Sequence, residues 1–163
     1  MNKDVAVPFS IRAAKAGDEG AIVALLRELA VYEKLESRFR LDEAAVMRDM
    51  LGPQWAARCD VLECQGEIAG VAVWYWIYAS FSVRRVLYVE DLYVSQKFRA
   101  RGFGKALLVH MARTARDAGG FMSWMVLDWN RPAIGFYLSL GAQADEDWTR
   151  FHVEGDALER LCT

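Results

Sequence analysis

Two glycines follow an arginine at three and five residues in Arg99-Ala100-Arg101-Gly102-Phe103-Gly104-Lys105, between a run of β-formers and a run of helical period. A loop so placed offers free backbone N–H groups and the positive end of a helix to phosphate oxygens, and its glycines let a ligand approach the main chain. It is not a Walker loop, because Ala106 follows Lys105 and no glycine stands five residues before Gly104. A dinucleotide fingerprint needs Gly or Ala where Leu107 stands. Just upstream, Glu90 and Asp91 interrupt an otherwise apolar strand, and burying an unpaired charge there costs several kcal/mol. Alternation puts the two carboxylates on opposite faces unless a bulge intervenes; a half-exposed strand with solvated acids is the plainer alternative. Downstream, Asn130 can cap a short helix with Pro132 in its first turn and Tyr137 one turn inside, where a phenol can serve as proton donor or simply as a core aromatic.

Rival chemistries lack their residues. The chain has no His-Glu-x-x-His, Cys-x-x-Cys or Gly-x-Ser-x-Gly, and its two histidines fall on a helix (His110) and on a late strand (His152). No metal is expected. Cys59, Cys64 and Cys162 are odd in number, and on a strand the first two point to opposite faces, so they read as free thiols of a reducing compartment.

The elements that must carry these groups follow from periodicity. Ile22, Leu25, Leu26, Leu29 and Tyr32 recur at helical spacing behind Asp18 as N-cap, predicting a helix over 18–34, and a second helix follows Asp42. Residues 59–64, a Gln65-Gly66 turn and 67–78 read as a hairpin whose second arm, apolar on both faces, is a central strand. Further strands are expected over 86–94 and 122–127, separated by a helix over 104–118 that stops at Gly119-Gly120. A helix over 132–140 ends at Gly141, and a last strand over 146–153 precedes a helical turn near Leu158. The hairpins call for antiparallel pairing and the strand–helix–strand step for a parallel pair, so the fold class is α/β with a central mixed, mostly antiparallel sheet flanked by helices.

Composition bounds the partners. The 163 residues are one domain's worth, 54% hydrophobic and 26% charged, which excludes a disordered chain, and no linker or repeat divides them, so 1–163 is read as a single domain. Twenty basic and 22 acidic residues leave a net charge of −2, without the basic excess that drives binding to nucleic acid. The longest apolar run, 68–79, falls short of the ~18–20 residues that span a bilayer, and residues 1–10 carry no secretory h-region. No membrane partner and a cytoplasmic location are expected.

Taken together, the glycine loop with Arg99, Gly102 and Gly104, the strand Tyr88-Val89-Glu90-Asp91-Leu92-Tyr93-Val94 and the segment Asp128-Trp129-Asn130-Arg131-Pro132-Ala133-Ile134 resemble the GNAT superfamily of acyl-CoA-dependent N-acyltransferases. With Leu29-Ala30-Val31-Tyr32-Glu33, the resemblance narrows to the branch of spermidine/spermine and thialysine acetyltransferases. It implies acetyl-CoA as co-substrate, with Arg99 among the residues that bind it and its pyrophosphate on the amides around Arg101, Gly102, Phe103, Gly104 and Lys105. The backbone of Leu92, Tyr93 and Val94 then pairs with the pantetheine arm like an added strand, and Asn130 touches that arm. Tyr137 stands near the thioester sulfur, Glu90 faces the incoming amine, and Tyr32, Glu33, Asp91 and Trp148 match positions near the acceptor. Relatives that exchange C-terminal segments imply a homodimer.

The chemistry fits those roles. An alkylammonium of pKa near 10.4 is only about 0.1% neutral at pH 7.4, a deficit of roughly 4 kcal/mol that calls for a proton acceptor. Glu90 as a base acting through water and Tyr137 as the acid that protonates the departing thiolate answer it, without a covalent enzyme intermediate. The sequence departs from the branch at Ala79-Ser80-Phe81, where relatives carry Ser-Thr-aromatic, and at Val83-Arg84-Arg85, which lacks the usual glycine. Two cations at the mouth oppose a polycation unless they turn away, so a lysine-like or diamine acceptor is expected ahead of spermidine. A non-catalytic acyl-CoA-sensing module, or an enzyme acting on a protein or aminoglycoside amine, is the alternative.

Overall fold

A computed structural model describes residues 8–145 and 147–163. The chain falls into two compact units that divide after Met125. The first unit holds strands β1 (Phe9–Ala13), β2 (Arg58–Cys64), β3 (Glu67–Ala79), β4 (Arg84–Val94) and β5 (Phe121–Trp124) and helices α1 (Glu19–Tyr32), α2 (Glu43–Val46) and α3 (Phe103–Asp117). The second holds α4 (Arg131–Ser139) and α5 (Gly155–Leu161).

The five strands lie in sequence order in one sheet, antiparallel from β1 to β4, with β5 parallel to β4. The sheet is mixed and mostly antiparallel, with β3 central, as the unbroken apolar run of that strand requires. One face packs Leu62, Leu87 and Val89 against Phe103, Leu107 and Met111 of α3; the other packs Val61, Val71 and Val73 against Ile22, Leu25 and Leu26 of α1. Cys64 lies in the first cluster and Cys59 in the second, and all three cysteines are free. Burial pushes the Cys59 thiol well above its ordinary pKa, which leaves it inert. Buried Asp60 accepts from the Trp74 indole N–H at 3.1 Å and lies 3.2 Å from His110 Nε2 on α3, tying that helix to the sheet. Among the described residues no helix is long and apolar enough to cross a membrane.

Several expectations are corrected. A strand over 9–13 is added at the sheet edge, where only pairing with β2 makes five residues extended. Asp18 holds the N-cap position of α1 without capping it: its carboxylate takes Arg12 at 2.7 Å and the Lys15 N–H at 2.9 Å instead. The strand expected over 122–127 stops at Trp124, because β4 offers it only Val86–Val89 as a ladder. The last strand is absent over 147–153, His152 included; with no ladder partner among the described residues, exposed β-formers stay irregular. Glu146 lies outside the described residues, as do the first seven positions of the N-terminal segment.

Other boundaries follow their sequence signals. The Asp42 carboxylate accepts from the Ala45 N–H at 2.7 Å at the start of α2, and the Asn130 side chain accepts from Ala133 N–H at 3.4 Å at the start of α4. Gly120 precedes β5 where a Cβ would overlap the Arg85 carbonyl oxygen, so only glycine lets the helix–strand turn pass that close.

Candidate active site

The pairing of β3 with β4 shifts register between Val73 and Trp74: Val73 faces Asp91, Trp74 faces Val89, and Glu90 is the extra residue of a bulge. The bulge reverses the alternation of β4. Leu87 and Val89 before it point to the α3 face, whereas Asp91 and Tyr93 after it lie on the α1 face, and Leu92 and Val94 take over the α3 side. β5 pairs only with Val86–Val89, so the ladder on that edge stops where the bulge begins. Beyond it, the backbone of 90–94 has no strand partner on that edge among the described residues, an open edge of the kind an extended ligand can pair with.

The carboxylates differ. Glu90 is exposed and its Oε2 accepts from the Tyr75 hydroxyl at 3.1 Å. Asp91 is half-buried, and burial, with Glu90 and Glu33 nearby, pushes its pKa up to about 6. Glu33, at the C-cap of α1, is raised by burial alone. The unit thus sets Glu33 and Glu90 within electrostatic reach of Asp91, which suits an ammonium group and a proton.

The glycine loop follows a 3-10 turn at Gln96–Phe98. Ala100 (φ 61°) and Gly102 (φ 79°) both adopt left-handed conformations, and Gly102 at the N-cap of α3 brings no side chain to cap it. The first-turn amides of Phe103, Gly104 and Lys105 thus have no capping side chain, and a Cβ on Gly102 would project into open space. The side chain of Phe103 is buried beside Phe9 and Phe98, so only its backbone serves the loop. Arg101 and Lys105 are exposed, with the Arg101 guanidinium over the Phe98 ring. Arg99 instead folds back toward α1 and β4. A cavity of about 1050 Å³ opens beside it, walled by Glu28, Tyr32 and other residues of α1, Tyr93, Ser95 and Lys97.

The second unit carries the remaining candidates. Asn130 is buried at the start of α4, and Tyr137 is half-buried in its last turn rather than one turn in, 5.5 Å from the Phe136 ring. Trp148 is 78% exposed in the irregular segment. Sequence reasoning missed Tyr75 and Glu28; neither stands in a motif, and only strand register and helix packing reveal them.

The mixed sheet, the broken ladder on β4 and the phosphate-ready loop at α3 define an acyltransferase fold, and the family comparison agrees. The profile described as the acetyltransferase (GNAT) family matches residues 21–142, and the chain belongs to that family, whose members are acyltransferases using acetyl-CoA as co-substrate. The chain is 36% identical to a thialysine N-epsilon-acetyltransferase of Sus scrofa, over 93% of this chain and 95% of that one. It is 31% identical to a human spermidine/spermine N(1)-acetyltransferase-like protein 1, over 92% of this chain and 23% of that protein. In fold it is similar to an integron cassette protein from the mobile metagenome of V. cholerae, with a TM-score of 0.80 at 21% identity over 94% of this chain and 97% of that one.

Proposed function

We propose that the protein transfers the acetyl group of acetyl-CoA to a primary amine of a small lysine-like or diamine acceptor by direct attack within a ternary complex. The observation that carries this reading is the bulge at Glu90, which opens the β4 edge toward the glycine loop and sets three carboxyl groups beside it. Backbone amides of 101–105 hold the pyrophosphate, the open edge of Leu92, Tyr93 and Val94 pairs with the pantetheine arm, and Asn130 touches that arm. Glu33 and Asp91 attract the ammonium, with Tyr32 and Trp148 at the acceptor end. Glu90, solvent-exposed and oriented by Tyr75, takes the amine proton through water, and Tyr137 protonates the departing thiolate. The similarity to thialysine and spermidine/spermine enzymes supports the acceptor class. Arg84, turned to the Gly120 carbonyl at 3.1 Å and the Phe121 ring at 5.1 Å, is engaged away from a cationic acceptor.

The same reading extends to the whole chain. The family match runs across the division at Met125, which supports one functional domain over 1–163. Exposed Trp148 and Phe151 support a homodimer, which light scattering tests against an 18.5 kDa monomer, and free thiols accord with a cytoplasmic location. No nucleic-acid or membrane partner and no metal enter the proposal. The deciding experiment is thiol release from acetyl-CoA across lysine analogues, polyamines, amino acids and aminoglycosides. Tyr137→Phe is expected to cut turnover on the best acceptor by about 10²–10⁴ while CoA affinity holds. Full turnover by that variant refutes the acid role, and silence of every primary amine refutes the acceptor class.

A further inference from the structure

Arg99 opens the glycine loop, yet its side chain is committed elsewhere. Nε donates to the Val94 carbonyl at 3.3 Å and an Nη to the Tyr93 hydroxyl at 3.1 Å. The guanidinium carbon lies 5.3 Å from the ring centroids of both Tyr32 and Tyr93, within cation–π range of each. The Tyr93 hydroxyl donates onward to Glu28 Oε2 at 3.2 Å, and the Ser95 hydroxyl donates to Oε1 of the same carboxylate at 3.4 Å. One side chain therefore joins the end of β4, the start of the loop and the last turn of α1, along the wall of the cavity beside them.

We propose that Arg99 is a positioning residue that sets the amine side of the site from the cofactor side, by bridging the Val94 carbonyl and Tyr93 hydroxyl on β4 to Tyr32 at the end of α1. The proposal rests on the function given above, which assigns residues 92–94 to the pantetheine arm and Tyr32 and Glu33 to the acceptor. Two features of the guanidinium suit it to this work. Its flat face stacks on aromatic rings, and its fork of donors reaches two acceptors at once, neither of which a lysine ammonium reproduces. The phosphate charge is met by the loop amides with exposed Arg101 and Lys105, so loss of Arg99 registers in the handling of the amine. Displacing α1 even slightly moves Tyr32 and the adjoining Glu33, and misplacement of a positioning group by about 1 Å can cost as much as 10²-fold in rate.

The test compares Arg99→Gln, Arg99→Lys, Tyr93→Phe and Arg101→Gln, measuring CoA affinity by calorimetry at several salt concentrations, steady-state kinetics with the best amine, and melting. Arg99→Gln is expected to raise the amine KM about tenfold or more, with CoA affinity within about threefold and its salt dependence unchanged. Arg99→Lys does not restore the amine KM, and Tyr93→Phe moves it the same way by less. Arg101→Gln does the reverse, weakening CoA and flattening its salt dependence while sparing the amine KM. If Arg99→Gln instead behaves as Arg101→Gln does, Arg99 is a phosphate ligand and the proposal fails. It fails equally if Arg99→Gln lowers melting but leaves the amine KM unchanged, or if lysine fully substitutes. A wild-type protein that neither binds CoA nor acetylates any amine overturns the underlying function, a result visible before any variant is made.

Discussion

The two halves of β4 are built to different rules. Over Val86–Val89 the strand is laddered on both edges, between β3 and β5, and Leu87 and Val89 pack into the α3-side core. Beyond the bulge β3 is its one strand partner among the described residues, Glu90 is exposed, Asp91 is half-buried, and the glycine loop follows. The contrast teaches that, on the proposed function, the site lies where regular pairing is given up, and that a single inserted residue separates the scaffold half of the strand from the half with an open edge. Without Glu90, Val89 and Asp91 would already fall on alternate faces, so the bulge is unnecessary for packing.

Deletions sharpen this comparison most. Removing Tyr88 from the regular half is absorbed at the bulge only by turning Val89 out of its core and Glu90 into it, so a large loss of stability is expected by circular dichroism and melting. Removing Glu90 leaves the alternation intact, so the chain should fold with unchanged melting while turnover falls by about 10²–10⁴. An active deletion variant would show that the bulge has no role in the chemistry. In the loop, Gly102→Val adds a β-branched side chain at φ 79°, in the space left for the ligand, and should abolish the rise in melting temperature that CoA produces in the wild type.

Smaller effects separate the two halves further. Gly120→Ala drives a methyl against the Arg85 carbonyl beside the regular half and should cost roughly 2–3 kcal/mol in urea unfolding, with CoA affinity in the surviving folded protein unchanged. Asp91 supplies the smallest expected effect. Its folded pKa, about 6, lies above the ordinary 3.8, so between these values the native state binds more protons than the unfolded one. Stability from this group is therefore complete below about pH 4 and is lost as pH rises through 6. Allowing for partial exposure, the loss is about 1–2 kcal/mol, and Asp91→Asn should remove that slope from the stability profile. An unchanged slope would locate the titration in another group.

What could be read in the chain and what could not divide along the range of the interactions concerned. The helix beginning after Asp42, the cap by Asn130, the Gln65-Gly66 turn and the glycine loop at α3 depend on residues a few positions apart, and each stands where periodicity and capping chemistry put it. The placing of Cys59 and Cys64 in opposite cores follows from alternation along β2 for the same reason. Arg99 was legible as part of the motif, but the direction of its side chain was not, because Tyr32 and Tyr93 meet it only across the fold.

Sequence by itself therefore determined the class of sheet, the helix that starts at the loop, and the chemical types gathered for an amine and an acyl donor. Tertiary structure alone decided the β1 edge strand, the shorter β5 and the irregular path of 147–153, since a strand exists only when another chain segment completes its hydrogen bonds. It also decided which carboxyl group is raised. Glu90 and Asp91 are neighbours of like chemistry, but a register shift against β3 exposes the first and turns the second onto the α1 face, where burial and the nearby carboxylates hold its proton.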